Sequence, residues 1–388
     1  MPFDKSKMMF PIKNEYAFLS HCGVSPLYSG GFRAVQLACE RQMRLGSVVL
    51  AEDYHRTLRS LREAVARLLN TGPQNVAFVK NTSEGIGLIA AGYPFTAGNK
   101  VIGYRHEYPA NRYPWELLKN RGVEYICLDN TNADGKSLTT EHAVAWSMNN
   151  LKDLVHKGGV KVVAISHVQF KSGYAADLKA LGEFCENEEI DLIVDAAQSL
   201  GAMPIDAKEL KIAAVVSSGW KWLLGPLGTG LMYVSPKLRE KLLPVLVGAE
   251  VRRGGEDYEA TEWPIDETAK QFEYSTSPLA LATALDRCIR EVPLAQGVER
   301  IQAEIFRLQD VFLKALKSKP CHPIFDPEVN RSPILSLVYP GDASALSEEL
   351  IRRKVYCTAR GGYLRIAPHY YTDDAEIIKA AEILNAIA

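Results

Sequence analysis

From residue 76 onward the chain alternates short apolar runs with polar turns and helical stripes. Val76-Ala77-Phe78-Val79 stops at Asn81-Thr82-Ser83-Glu84-Gly85, which opens a helix through Ala90-Ala91-Gly92. Val101-Ile102-Gly103-Tyr104 leads to His106-Glu107-Tyr108-Pro109-Ala110-Asn111, and the run 123–128 leads to a polar loop at Asn130-Thr131-Asn132. The run 160–165 ends at Ser166-His167-Val168-Gln169, and a helix from Asp177 follows with Leu178, Leu181, Phe184 and Cys185 on one face. Leu192-Ile193-Val194 ends in Asp195, with Gln198 three residues on. Ala213-Ala214-Val215-Val216 ends in Ser217-Ser218-Gly219-Trp220-Lys221, and Gly230-Leu231-Met232-Tyr233-Val234 closes the series. Apolar runs this short and unbroken predict strands buried on both faces. Their alternation with helices predicts an α/β fold built on a large, doubly wound, mainly parallel sheet of about seven strands.

The flanking segments read differently. Residues 1–20 form an arm expected to pack near the small domain, followed by a small-residue turn, Ser20-His21-Cys22-Gly23-Val24-Ser25-Pro26. A helix is expected through Phe32, Val35, Ala38 and Cys39. A second carries the stripe Leu58, Leu61, Val65, Leu68 and Leu69 and stops at Asn70-Thr71-Gly72-Pro73. The stretch 252–273 is polar and reads as a surface excursion. A helix is expected from Pro278 through Ile289, then a helix, a strand over 334–338, a helix, strands over 355–358 and 364–366, and a last helix from Asp373. This pattern predicts a large domain over 21–277 and a smaller α+β domain over 278–388.

Composition narrows the function classes without choosing one. The chain has 388 residues, 47% hydrophobic and 23% charged, with net charge −1. No long single-sign charge run points to nucleic acid or a membrane surface. No apolar stretch approaches the ~20 residues that span a bilayer, and no signal-peptide h-region is seen, so a cytoplasmic protein is expected. The seven cysteines, Cys22, Cys39, Cys127, Cys185, Cys288, Cys321 and Cys357, include no CxxC pair. They read as free thiols, with neither a disulfide framework nor a metal site.

The candidate chemistry lies where the strands end, because open α/β sheets bind ligands beyond the carboxyl ends of their strands. A carboxylate at Asp195 and an amine at Lys221 suit pyridoxal 5'-phosphate (PLP), which needs an acidic partner for its ring nitrogen and a lysine for a Schiff base. Released by substrate, Lys221 is the candidate acid and base for the alpha proton, given burial and positive neighbours that lower its pKa. Thr82 and Ser83 open a helix and offer hydroxyls and free backbone N–H groups to the phosphate, although a plain N-cap fits their spacing equally. Ser218 adds a hydroxyl, Gln198 a donor for the phenolic oxygen, and Tyr108 a ring to stack on the pyridine. Arg365 is the candidate for the substrate's alpha-carboxylate, with Arg360 as its rival. His21 and Cys22 are expected near the substrate.

The motifs Asp195-x-x-Gln198-x-x-Gly201, Ser218-Gly219-Trp220-Lys221 and Gly225-Pro226-x-Gly228-x-Gly230 resemble those of class V aminotransferases among fold-type I PLP enzymes. Asn81-Thr82-Ser83-Glu84-Gly85, Glu107-Tyr108-Pro109-Ala110-Asn111 and Leu364-Arg365-Ile366-Ala367-Pro368-His369 extend the likeness over nearly the whole chain. The resemblance implies the PLP-transferase fold, a homodimer with shared active sites, and Ser275-Thr276, after Phe272-Glu273, serving the neighbouring subunit's phosphate, with Thr276 carried over on that basis. It implies an aminotransferase acting on an amino acid. Epimerisation, as in isopenicillin N epimerase-like proteins, and beta or gamma elimination, as in kynureninase-like lyases, are the alternatives. A non-catalytic regulator is disfavoured because Lys221 and Asp195 are both present. Two departures stand out. Trp220 replaces the histidine many members carry. The turn between Arg360 and Arg365 lacks the loop cysteine of cysteine desulfurases, which disfavours the persulfide route. Cys357 reads as an inert strand thiol.

Overall fold

The computed structural model of the chain describes residues 2–128, 145–253, 259, 261–317 and 320–387. The expected loop at 130–132 and part of the polar excursion, 254–258 and 260, lie outside the described residues.

The seven expected strands form one sheet. After β1 (Ala17–Phe18) they are β2 (Val76–Val79), β3 (Lys100–Tyr104), β4 (Glu124–Leu128), β5 (Val160–Ser166), β6 (Asp191–Asp195), β7 (Ala214–Ser218) and β8 (Gly230–Val234). Their order is β2-β8-β7-β6-β5-β3-β4, parallel except for β8, which runs antiparallel to both its neighbours. Alternate side chains along each strand enter different cores, as the two-residue period of a strand requires. Leu192 and Val194 join the cluster under the Leu58, Leu61 and Val65 helix face, while Ile193 joins Ile86 and Ile89 on the opposite side. Both faces are therefore covered, which is why the strands read as continuous apolar runs.

The smaller sheet is antiparallel, in the order β12-β13-β10-β9, with β9 His322–Pro323, β10 Leu335–Val338, β12 Thr358–Arg360 and β13 Tyr363–Ile366. Leu308 and Phe312 of helix Val298–Ala315, and Ile377 and Leu384 of helix Asp374–Ile387, pack with its Leu337 and Leu364. The single strand expected over 355–358 is two. β11 (Val355–Tyr356) leaves the small sheet and pairs in parallel with β1 of the arm. Phe10 of the arm stacks on Tyr371, with ring centroids 3.7 Å apart.

One expected helix face is corrected. In helix Ser29–Leu45 the buried residues are Gly30, Gly31 and Ala34, while Phe32 is 52% exposed and Cys39 is exposed. The small residues face helix Leu279–Ile289, and a side chain on Gly31 would meet Cys288 Sγ. That second helix, grouped by pattern with the small domain, packs on helices 29–45 and 55–68. Among the described residues no helix is long and apolar enough to cross a membrane.

Candidate active site

β5, β6 and β7 end side by side. Ser166 lies in register with Asp195, and Asp195 with Val216, so Ser166, Asp195 and Ser218 share the carboxyl edge of the sheet. They line a cavity of about 320 Å³ with Asn81, Thr82, Ser83, Tyr108, Val168, Phe170, Gln198, Trp220 and Lys221.

Asn81, rather than Thr82 or Ser83, caps the helix Thr82–Gly92. Its side chain accepts from Glu84 N at 2.8 Å, and Glu84 accepts from Lys80 N at 2.5 Å. This reciprocal cap leaves Thr82 and Ser83 as the first helical residues, whose backbone N–H groups have no partner within the helix. They face the cavity where a phosphate would gain from the helix dipole. Gly85 lets the helix approach β7, since a Cβ there would lie 2.5 Å from Val216 Cγ1. Beside this helix end, the Ser218 hydroxyl is buried with no hydrogen-bond partner.

Asp195 is buried and accepts from Ala197 N at 2.9 Å. Burial pushes its carboxyl above the usual range, while the Ala197 N–H and the Lys221 charge pull it back. Lys221 is half-buried, its Nζ 5.6 Å from the centre of the Tyr108 ring. Burial lowers its pKa, Asp195 and Cys22 oppose this, and Arg365 adds to it. Gln198 gives one N–H to Cys22 O at 2.8 Å and accepts from Trp222 Nε1 at 3.3 Å. Its second amide hydrogen remains for a ligand.

Arg365 is 2% exposed. Nη1 donates to Phe170 O at 2.7 Å and Nη2 to the Thr358 hydroxyl at 2.8 Å, while Nε, also buried, has no partner. Arg360 is exposed on β12. His21 is not brought to the cavity. It is fully buried, with Nδ1 2.8 Å from Ala367 O and Nε2 2.7 Å from the Tyr371 hydroxyl, so both ring nitrogens are taken. Thr276 is exposed and is not among the residues lining this cavity. Cys357 is fully buried, and burial pushes its thiol up to about 12.

Ser166, Val168 and Phe170 line the cavity although the sequence did not assign them to it, and Trp220, read from sequence as a departure from the family's histidine, lines it too. Applying the strand-end argument to β5 finds Ser166. Phe170 carries no such signal. Glu107, which the family motif includes but to which the sequence assigns no role, is buried next to Tyr108 in the chain; it accepts from Ser166 N at 2.9 Å, from the Ser166 hydroxyl and from Gln169 Nε2 at 2.8 Å.

The residues present fit PLP. A partnerless hydroxyl and a helix N-terminus stand ready for a phosphate. A buried carboxyl, an aromatic face and an amine are placed for the ring and its carbonyl carbon.

Comparison with known proteins agrees. The family model "Aminotransferase class-V" matches residues 41–363. A probable cysteine desulfurase of Methanothermobacter thermautotrophicus is 26% identical over 353 residues, covering 86% of this chain and 84% of the relative. The uncharacterized aminotransferase YcbU of Bacillus subtilis is 24% identical and covers 99% and 97%. Among solved structures, the cystine C–S lyase C-DES, in a variant with glycine covalently linked to its PLP cofactor, superposes with a TM-score of 0.86 at 20% identity, covering 97% and 98% of the two chains.

Proposed function

The chain belongs to the class-V aminotransferase family of PLP-dependent enzymes, and from that membership we propose that it is an amino-acid lyase cleaving a Cβ–S bond. The reading is carried by Lys221 and Asp195 on adjacent strand ends, facing one cavity with Arg365 behind it. Thr82, Ser83 and Ser218 would hold the phosphate, Asp195 the ring nitrogen, Tyr108 the ring face and Lys221 the carbonyl carbon. Once bound, the cofactor supplies an electron sink for the pair left when Cα loses its proton.

The chain's own residues do the rest. Arg365 docks the alpha-carboxylate through its partnerless Nε–H and its remaining Nη hydrogens. Lys221, with its pKa lowered by burial and by Arg365, takes the Cα proton as a free amine. The sulfur then leaves Cβ with the bonding pair. The net change on cysteine is cysteine plus water to pyruvate, ammonia and hydrogen sulfide.

The likeness to desulfurases and to a C–S lyase favours sulfur amino acids, and elimination moves ahead of the transamination that the sequence alone put first. The absence of a loop cysteine argues against persulfide chemistry. Gly361 and Gly362, at φ 57° and 88°, make a two-residue hairpin turn between β12 and β13, and Cys357 is buried and inert. Transamination is the second reading, favoured by the likeness to YcbU. The enzyme is further proposed to be a homodimer. Beside the cavity Tyr113 and Leu117 are 61% and 64% exposed, an apolar face suited to a second copy that would bring its own Thr276.

The test incubates PLP-loaded protein with cysteine, cystine and a panel of amino acids. Elimination yields pyruvate and ammonia over many turnovers. Transamination without an acceptor yields one equivalent of oxo acid per subunit and no ammonia. Neither product from any amino acid, or a cofactor that borohydride never fixes to Lys221, overturns the proposal.

A further inference from the structure

Glu107 does not itself line the cavity, yet it grips one wall of it. The lining residues Ser166, Val168 and Phe170 are alternate residues of the segment that leaves β5 and turns at Phe170. Glu107 Oε1 accepts from Ser166 N at 2.9 Å and Gln169 Nε2 at 2.8 Å, and Oε2 accepts from the Ser166 hydroxyl. One buried carboxyl thus ties the segment at both its start and its end. Two cavity groups depend on where that segment lies. The Phe170 carbonyl takes Arg365 Nη1 at 2.7 Å. The Phe170 ring packs edge-on against Tyr108, the residue after Glu107, at 5.2 Å.

We infer that Glu107 is a positioning residue, which through the 166–170 segment and the Phe170 carbonyl aims the Arg365 guanidinium at the substrate carboxylate. The inference rests on the proposed role of Arg365. What matters is the hydrogen bonding rather than the charge, and the structure offers a way to separate them. Glutamine at 107 can keep one oxygen for Ser166 N and Gln169 Nε2 and donate its amide N–H to the Ser166 hydroxyl, which accepts as well as donates, restoring the staple without a carboxylate.

The experiment uses PLP-loaded protein and two probes that capture the cofactor's carbonyl carbon. Aminooxyacetate carries a carboxylate and O-methylhydroxylamine does not. Wild type should prefer aminooxyacetate, and Glu107→Ala should narrow that preference about tenfold, the worth of a misaimed hydrogen bond to a charged group. Its capture of O-methylhydroxylamine and its Kd for PLP should stay near wild type, and Glu107→Gln should keep the preference. If Glu107→Ala does not fold, Gln169→Leu removes one of the three bonds and should narrow the preference in the same direction. Arg365→Ala is the reference. If it loses the preference while the Glu107 and Gln169 variants keep it, the inference fails and the role of Arg365 stands. If wild type and Arg365→Ala show no preference at all, the role of Arg365 fails and this inference with it. A Glu107→Ala protein whose PLP affinity collapses also overturns it, because the carboxyl would then serve the cofactor.

Discussion

The Ser218 hydroxyl lies buried in the cavity that Thr82 and Ser83 also line, with no hydrogen-bond partner. A buried hydroxyl left unpaired costs free energy, and native structures keep few of them unless a ligand or water completes the bond. Removing it from the unloaded protein therefore breaks no bond. Ser218→Ala is expected to keep the stability of the unloaded protein within ~0.5 kcal/mol, because no stabilising contact is lost. The same change should raise the Kd for PLP about tenfold, the worth of one hydrogen bond to a charged phosphate. Urea unfolding without PLP and a fluorescence titration with PLP measure the two. A variant that binds PLP as tightly as wild type would show that the phosphate lies elsewhere. Lys221 differs in kind, since its loss removes the group proposed to move the proton. For Lys221→Ala, PLP binding by the phosphate contacts should survive while pyruvate formation disappears.

At the scale of elements, the close contact between helix Thr82–Gly92 and β7 sets where the helix N-terminus, the proposed phosphate site, lies. Gly85→Ala puts a Cβ 2.5 Å from Val216 Cγ1, on a rigid branched side chain in a buried strand. Overpacking of this kind costs ~1–3 kcal/mol, partly offset by ~1 kcal/mol of helix propensity. A net loss of up to about 2 kcal/mol is expected, with weaker PLP binding as Thr82 and Ser83 shift. Adding Val216→Ala should recover much of the binding; a Gly85→Ala protein with wild-type stability and affinity would dissociate the contact from the site. This packing also explains what the sequence could tell. Strands buried on both faces announce themselves as apolar runs, so the large sheet and the strand-end groups Asp195, Ser218 and Lys221 were legible. Contacts made by small residues were not. Helix Ser29–Leu45 buries Gly30, Gly31 and Ala34, while its larger apolar residues Phe32 and Leu37 stay exposed. The split between β11 and β12 depends on pairing with an arm over 300 residues away, as Ala17 pairs with Val355, and local pattern does not encode that. Glu107 and Phe170 act through bonds to a loop whose path no periodicity predicts.

The small domain is joined to the lysine loop of the large domain through a buried histidine, and this makes the stability of the whole molecule depend on pH. His369 is fully buried between the small domain and the lysine loop. Its Nε2 lies 3.1 Å from Trp222 O, and its Nδ1 lies 2.9 Å from Tyr370 N, a donor. The network therefore assigns the proton to Nε2 and requires a neutral ring. Burial lowers its pKa from 6.5 to about 4, with the Trp222 carbonyl opposing. Because the folded value lies below the unfolded one, the native state binds fewer protons. The contribution of His369 is complete above about 6.5 and is lost as pH falls toward about 4. The gap corresponds to roughly 3 kcal/mol at its fullest, a sizeable share of a domain's stability. His167 is also buried, and burial alone lowers it to about 4, so it pulls the same way. Glu107 runs against both. Burial, opposed by its bonds from Ser166 and Gln169 and aided by Asp195, raises it to about 7, so its protonation stabilises the fold as pH falls over part of the same window. The total slope is thus a balance, and the difference between variants is the cleaner measure. Urea unfolding of wild type and His369→Gln at pH 7.5, 6.5, 5.5 and 4.5 should show the variant less stable at the top of this range and the two curves converging at the bottom. Parallel curves across the whole range would mean that His369 does not gain its proton on unfolding. The joint between the lysine loop and the small domain would then rest on packing around Trp222, Phe10 and Tyr371 rather than on a neutral imidazole.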